Sequence, residues 1–264
     1  MKRVWGHCLA GATLFAGVVV AMPACKHNDS TLFVQDVLEA QPVSQGAICT
    51  FTSDPTQAFI SSGVLDIAFR TEYQPTYLIG NQSVPEVNSQ QLQTETNIIT
   101  VQGAIVTITD AAGNQLNKFT RLASATVYPS SGSVPGYAPI TVTTIDSTTI
   151  ASDTFLQQNA ANGGTTRLVT YVQFFGQTTG GNQVQSDTFE FPVDVCSGCL
   201  VQFSSTSDDP DLPQPNCRGA SSSSSSLPAP CVPGQDFGID CSLCQGVSAC
   251  QGALAGVSAD AGAD

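Results

Sequence analysis

Apolar and polar residues alternate with a period of two through much of the middle of this chain. Residues 64–70 read Val-Leu-Asp-Ile-Ala-Phe-Arg. Leu65, Ile67 and Phe69 then share one face and Asp66 and Arg70 the other, the pattern of a half-buried strand. Residues 76–79 predict the next strand. Residues 98–109 form a long β-branched run that Gly103 interrupts, which predicts a bulge. Asp-Ala-Ala-Gly-Asn at 110–114 predicts a hairpin turn with Gly113 at positive φ, and residues 119–128 return from it. Residues 140–150 are nearly continuous Thr, Val and Ile and extend the strand pattern. Residues 153–161 lack Gly and Pro, predicting one short helical turn with Asp153 near its cap. Residues 167–175 are apolar on both faces and predict a central strand. Gly-rich residues 176–182 turn the chain. Residues 189–195 place Phe189, Phe191, Val193 and Val195 inward, with Pro192 among the outward residues, a sign of an edge or a bulge.

About seven to nine short strands at hairpin spacing over residues 45–200 predict an all-β domain, an antiparallel β-sandwich, because a sheet with one apolar face must bury it against another. The last two strands carry a likeness. A Tyr-containing strand, Tyr171-Val-Gln-Phe-Phe-Gly176, runs through a Gly-rich loop into the alternating strand at 189–195. This resembles the terminal hairpin of immunoglobulin-like and fibronectin type III domains, and the 110–114 turn resembles hairpins in bacterial members. The resemblance implies an immunoglobulin-like sandwich. The Cys-Trp-Cys pin of antibody domains is missing, since Trp5 is the single Trp.

The two ends differ from this middle. Lys2 and Arg3 precede an uncharged run, residues 9–22, rich in Ala, Gly, Val, Leu and Phe. This has the basic start and short apolar stretch of an export signal and is shorter than the roughly 20 residues a membrane span needs. Met22-Pro23-Ala24-Cys25 follows and resembles the lipobox of bacterial lipoproteins, with Met22 and Pro23 departing from the commonest residues there. The resemblance implies cleavage before Cys25, acylation of its thiol, and a membrane anchor. The alternative is plain secretion with cleavage after Ala21. Lys26, where an Asp would favour the inner membrane, implies the outer membrane in that family. Residues 1–24 thus form the signal. Residues 25–44 form a lipidated tether in which Leu32, Phe33, Val37 and Leu38 make a short amphipathic turn. Residues 201–264, with six consecutive Ser at 221–226, predict an irregular, Cys-rich, disulfide-stapled tail.

Charge narrows the partners. Eight Lys and Arg against 21 Asp and Glu give a net charge of −13, and loss of Lys2 and Arg3 with the signal lowers it by two. An acidic chain repels phosphate, so no nucleic acid is expected. The histidines are His7 and His27, so residues 45–200 hold no base for Ser-His-Asp or Cys-His catalysis. Of ten cysteines, Cys8 leaves with the signal and Cys25 would carry lipid. Cys49, Cys196, Cys199, Cys217, Cys231, Cys241, Cys244 and Cys250 remain, an even set suited to disulfides in an oxidising compartment. Cys49 is expected to pair with Cys196 or Cys199, because domain termini often lie close together. Cys196-Ser-Gly-Cys199 and Cys241-Ser-Leu-Cys244 also leave a metal or redox use open. Asp208, Asp209 and Asp211 form a weak calcium candidate without the twelve-residue loop pattern. The carboxylate pairs Asp66 with Glu72 and Glu190 with Asp194 are the candidates for glycoside chemistry.

Together these features predict an exported lipoprotein of the bacterial envelope, not an enzyme and without a cofactor. Its role would be structural, adhesive or ligand-binding, toward an envelope protein or an extracellular ligand. The alternative is an envelope thiol–disulfide oxidoreductase using a CxxC pair.

Overall fold

A computed structural model describes residues 31–42, 49–86, 94–204, 209–219 and 230–254. The strands in chain order are β1 (Leu32–Leu38), β2 (Gln41–Pro42), β3 (Cys49–Thr50), β4 (Phe59–Ile60), β5 (Gly63–Asp66), β6 (Thr76–Asn81), β7 (Ile99–Asp110), β8 (Gln115–Val127) and β9 (Gly136–Thr141). The helices α1 (Ser147–Ser152) and α2 (Thr154–Ala161) follow. Then come β10 (Thr166–Thr178), β11 (Gln183–Gln185), β12 (Phe189–Cys196), β13 (Val201–Gln202) and β14 (Ile239–Asp240). One sheet has the order β4-β1-β6-β9. A second has the order β5-β12-β10-β7-β8, with β11 also on β10. Every pair within these sheets is antiparallel except β5 with β12, which is parallel.

Both sheets feed one apolar core. Leu32, Val37, Tyr77, Ile79 and Ile140 come from the first, and Val101, Val106, Val172, Phe174, Phe191 and Val193 from the second. Tyr77 on β6 meets Phe174 and Phe189 edge-on across the two sheets, with ring centroids 5.4 and 5.9 Å apart. That geometry suits the aromatic quadrupole. The described residues are thus mostly strand, in largely antiparallel sheets about a shared core.

The central strand expected at 167–175 is β10, hydrogen-bonded to β7 on one side and β12 on the other. The hairpin at 110–114 forms as its residues require. Gly113 takes φ 87°, and the Asp110 carboxylate accepts from the Ala112 and Asn114 backbone N–H groups. The β7–β8 register shifts between Val101 and Gly103, the bulge that Gly103 predicts. Asp153 caps α2 by accepting from Leu156 N–H. Pro192 faces Val169 on β10, while β5 pairs only with Val193–Cys196. The outer side of β12 is therefore open at the residue that cannot donate.

Three expectations need correction. Residues 31–38 are not a tether, for β1 runs between β4 and β6 with Leu32 and Val37 buried in the core. Burial of such a side chain contributes about 1.5–3 kcal/mol, which a solvated tether would forgo. Residues 140–150 are not one strand. β9 stops at Thr141, and Asp146 caps α1 by accepting from Thr149 N–H and the Thr148 hydroxyl, so local capping overrides the β-branched composition. The strand at 64–70 ends at Asp66. The Phe69 and Arg70 N–H groups turn back to the Asp66 carbonyl, and Asp66 itself is fully buried rather than outward.

Candidate functional site

The free side of β5 is where the C-terminal segment returns to the body. Asp66 N–H donates to the Gly234 carbonyl and Asp236 N–H to the Val64 carbonyl. Leu65 forms an antiparallel bridge with Gln235. The Gln235 side-chain amide closes a ring with the backbone of Gln74, accepting from its N–H at 3.0 Å and donating to its carbonyl at 3.1 Å. A single turn of sequence therefore adds an edge to the second sheet.

Asp236 is the pin of this seam. It adopts φ 62°, a left-handed conformation that Asp tolerates better than most residues. Its carboxylate accepts from Val64 N–H at 2.9 Å and from the Tyr73 hydroxyl at 2.9 and 3.1 Å. Burial pushes the Asp236 carboxyl up, against the hydrogen bonds and the Arg70 charge that favour its ionised form. Burial, and then the facing carboxylate, push the Tyr73 hydroxyl far above its usual range. The Tyr73 ring lies where a side chain at residue 63 would stand, with its hydroxyl 2.0 Å from an added Cβ, so Gly is required there by space.

The second constellation lies at the other end of β5. Asp66 is 0% exposed, and its carboxylate accepts three backbone N–H groups: Gly198 at 2.7 Å, Leu200 at 3.0 Å and Ala68 at 3.0 Å. Two of these belong to the turn after β12 that carries Cys196-Ser-Gly-Cys199, where Gly198 takes φ 75°. One oxygen of Asp66 and the two sulfurs lie within 4.8 Å of one another. Cys196 is 2% exposed, whereas Cys199 is exposed.

All eight candidate cysteines are bridged, as Cys49–Cys231, Cys196–Cys199, Cys217–Cys241 and Cys244–Cys250. The expected partner of Cys49 is thereby corrected. Cys196 and Cys199 close on each other, and Cys49 takes Cys231 because the segment around Gly234 runs back beside β5. On the chain-entropy account the separation of 182 residues gives this bridge about 5 kcal/mol, against about 2 kcal/mol for the short Cys196–Cys199 loop. The tail bridges Cys217–Cys241 and Cys244–Cys250 form a small cluster with Ile239, against which Phe69, Val201, Phe203 and Val247 pack.

The outward face of the second sheet holds a cleft of about 490 Å³ lined by Ile105, Thr120, Phe175, Gln183, Val184 and Gln185. Leu122 and Phe175 flank Gly103 across β8, β7 and β10, and Leu122 is 86% exposed.

The remaining predicted residues are dispersed. Cys25 and Asp208 lie outside the described residues. Asp209 accepts from Asp211 N–H, a local turn contact. Asp194 forms a two-pronged ion pair with Arg167 at 2.7 and 2.8 Å. Asp66 is held by amides, and Glu72 accepts from the Gln74 side chain. Among the described residues, the groups able to offer three metal-ligand atoms are Asp66 with Cys196 and Cys199, and Asp240 with Cys217 and Cys241. Disulfide formation occupies the sulfurs of both. No helix among the described residues is long and apolar enough to cross a membrane.

No protein-family model and no curated protein matches the chain. A solved structure of a protein from Archaeoglobus fulgidus is similar over 52% of this chain and 94% of that one, at 12% identity and a TM-score of 0.32.

Proposed function

We propose that this chain is an exported lipoprotein that displays an immunoglobulin-like β-sandwich at the bacterial cell envelope, there to bind an envelope protein or an extracellular ligand. The observation that carries the reading is the closed cysteine set. Eight cysteines form four bridges, which fits an oxidising extracellular or envelope compartment. Cys8 and Cys25 fall outside the set, and Cys25 stands at the lipobox-like position. Several acyl chains on one cysteine give stable anchoring at about 0.8 kcal/mol for each buried CH₂.

Strand order supports the immunoglobulin-like reading. Taking β1, β6, β7, β8, β9, β10 and β12 as strands A, B, C, C′, E, F and G, the observed sheets have the A-B-E and G-F-C-C′ orders of that architecture. The cleft on the G-F-C-C′ face is lined by Ile105, Phe175 and Val184 together with Thr120, Gln183 and Gln185, all uncharged.

The test is acylation in cells. The chain is expressed in a Gram-negative host fed an alkyne-tagged fatty acid. Label is expected in the membrane fraction, and Cys25→Ser is expected to abolish it. Unlabelled wild-type protein in the soluble periplasmic fraction would refute the anchor.

A further inference from the structure

We propose that Cys196–Cys199 is a redox-active bridge, which exchanges with the dithiol of a second envelope protein through a mixed disulfide at Cys199. Its setting differs from that of the other three bridges. Cys217, Cys241, Cys244 and Cys250 are all buried, and Cys49–Cys231 staples the C-terminal segment to the body. Cys199 is exposed and Cys196 is buried beneath it, so an incoming thiolate can reach one sulfur and not the other. The sequence separation of three means that opening the bridge frees no distant element.

Asp66 makes the reduced form compatible with the same backbone. It holds Gly198 N–H and Leu200 N–H whether or not the sulfurs are joined. The turn therefore keeps both sulfurs close when the bridge is open. It is a positioning residue. Its oxygen lies within 4.8 Å of both sulfurs, and the Cys196 sulfur lies 3.7 Å from the Leu65 carbonyl, the acceptor at hand for the thiol that Cys196 becomes.

The exchange balances as follows. A substrate thiolate attacks Cys199 Sγ, forming the mixed disulfide. The Cys196–Cys199 bond breaks, its electron pair goes to Cys196, and that sulfur takes up the proton the substrate thiol gave up on ionising. The second substrate thiolate attacks the substrate sulfur of the mixed disulfide and expels Cys199 as a thiolate, which takes a proton from water. One substrate disulfide forms, the two protein cysteines are reduced, and two electrons have moved. The bridge oxidises one equivalent of dithiol per chain.

The test uses the full chain with dithiothreitol and glutathione disulfide as probes. In wild type, stepwise dithiothreitol with alkylation and peptide mapping should open Cys196–Cys199 at a concentration about tenfold or more below that needed by the other bridges. Cys196→Ser leaves Cys199 as a free exposed thiol and should gain the mass of one glutathione at Cys199, whereas Cys199→Ser should gain none at the buried Cys196. After reduction of wild type, glutathione disulfide should restore the closed bridge. In Asp66→Asn the product should shift toward trapped mixed disulfide, with closure slowed about tenfold, a partition that a stability loss alone would not produce. A bridge that opens only together with the other three, or a Cys196→Ser chain that takes up no glutathione, would overturn the proposal.

Discussion

Tyr73→Phe isolates the bond that holds the returning C-terminal segment to the body. The substitution keeps the ring, which lies over Gly63 and stacks on Phe191 with centroids 6.2 Å apart. It removes only the hydroxyl that donates to Asp236 at 2.9 and 3.1 Å. The acceptor is a buried carboxyl whose pKa burial raises, and a hydrogen bond to its charged form contributes about 1.5–3 kcal/mol. Val64 N–H still serves Asp236, so the carboxylate is weakened in its support rather than stranded. The expected loss at pH 7 is therefore about 2 kcal/mol. It should shrink toward about 1 kcal/mol in acid, where Asp236 is protonated and the bond is neutral. Guanidinium denaturation without reductant, at pH 7 and again near pH 4, measures both values. Hydrogen exchange should show faster exchange at the Val64 and Asp236 amides. A variant within about 0.5 kcal/mol of wild type at pH 7, or a loss that grows on acidification, would refute this reasoning.

Three further outcomes follow from the same geometry. Gly63→Ala places a methyl 2.0 Å from the Tyr73 hydroxyl and should cost about 3 kcal/mol or more, read as a fall in denaturation midpoint. Asp236→Asn tests linkage. Burial raises the folded-state pKa above 3.8, so between 3.8 and the raised value the native chain keeps a proton that the unfolded chain has lost. Stability from this group is full below that window and falls as pH rises through it, and the Asn variant should lack this slope in a pH series of denaturation curves. Leu122→Asp, on a side chain already 86% exposed, should leave stability within about 0.5 kcal/mol of wild type while abolishing photocrosslinks formed from a probe at residue 120. Unchanged crosslinks would exclude the cleft as the contact face.

The elements that announce themselves along the chain are those whose burial pattern stays local. The β7–β8 hairpin shows itself through Asp110 and Gly113, β10 and β12 through unbroken apolar periodicity, and α2 through Asp153. β1 is hidden for a physical reason. Its ladder with β6 shifts register between Val34 and Asp36, and the bulge breaks the period of two that would mark a strand. Residues 147–152 look like a strand by composition and become α1 because Asp146 serves two groups of the first turn. The cysteine network illustrates a different limit. Eight cysteines allow 105 connectivities, and the partner of Cys49 depends on a segment 182 residues away folding back along β5. Asp66 and the Tyr73–Asp236 pair have no local signature either. In the sequence Asp66 is one more polar residue on an alternating strand, and Asp236 meets Tyr73 across 163 residues.

The anchored, fully bridged envelope protein is tested most directly by the intact mass of the mature chain isolated without reductant. The account predicts a chain beginning at Cys25, heavier by its acyl groups and lighter by two hydrogens for each of the four bridges. A chain beginning at Met22 with an unmodified Cys25, or one whose cysteines take up alkylating reagent in the native state, would contradict it.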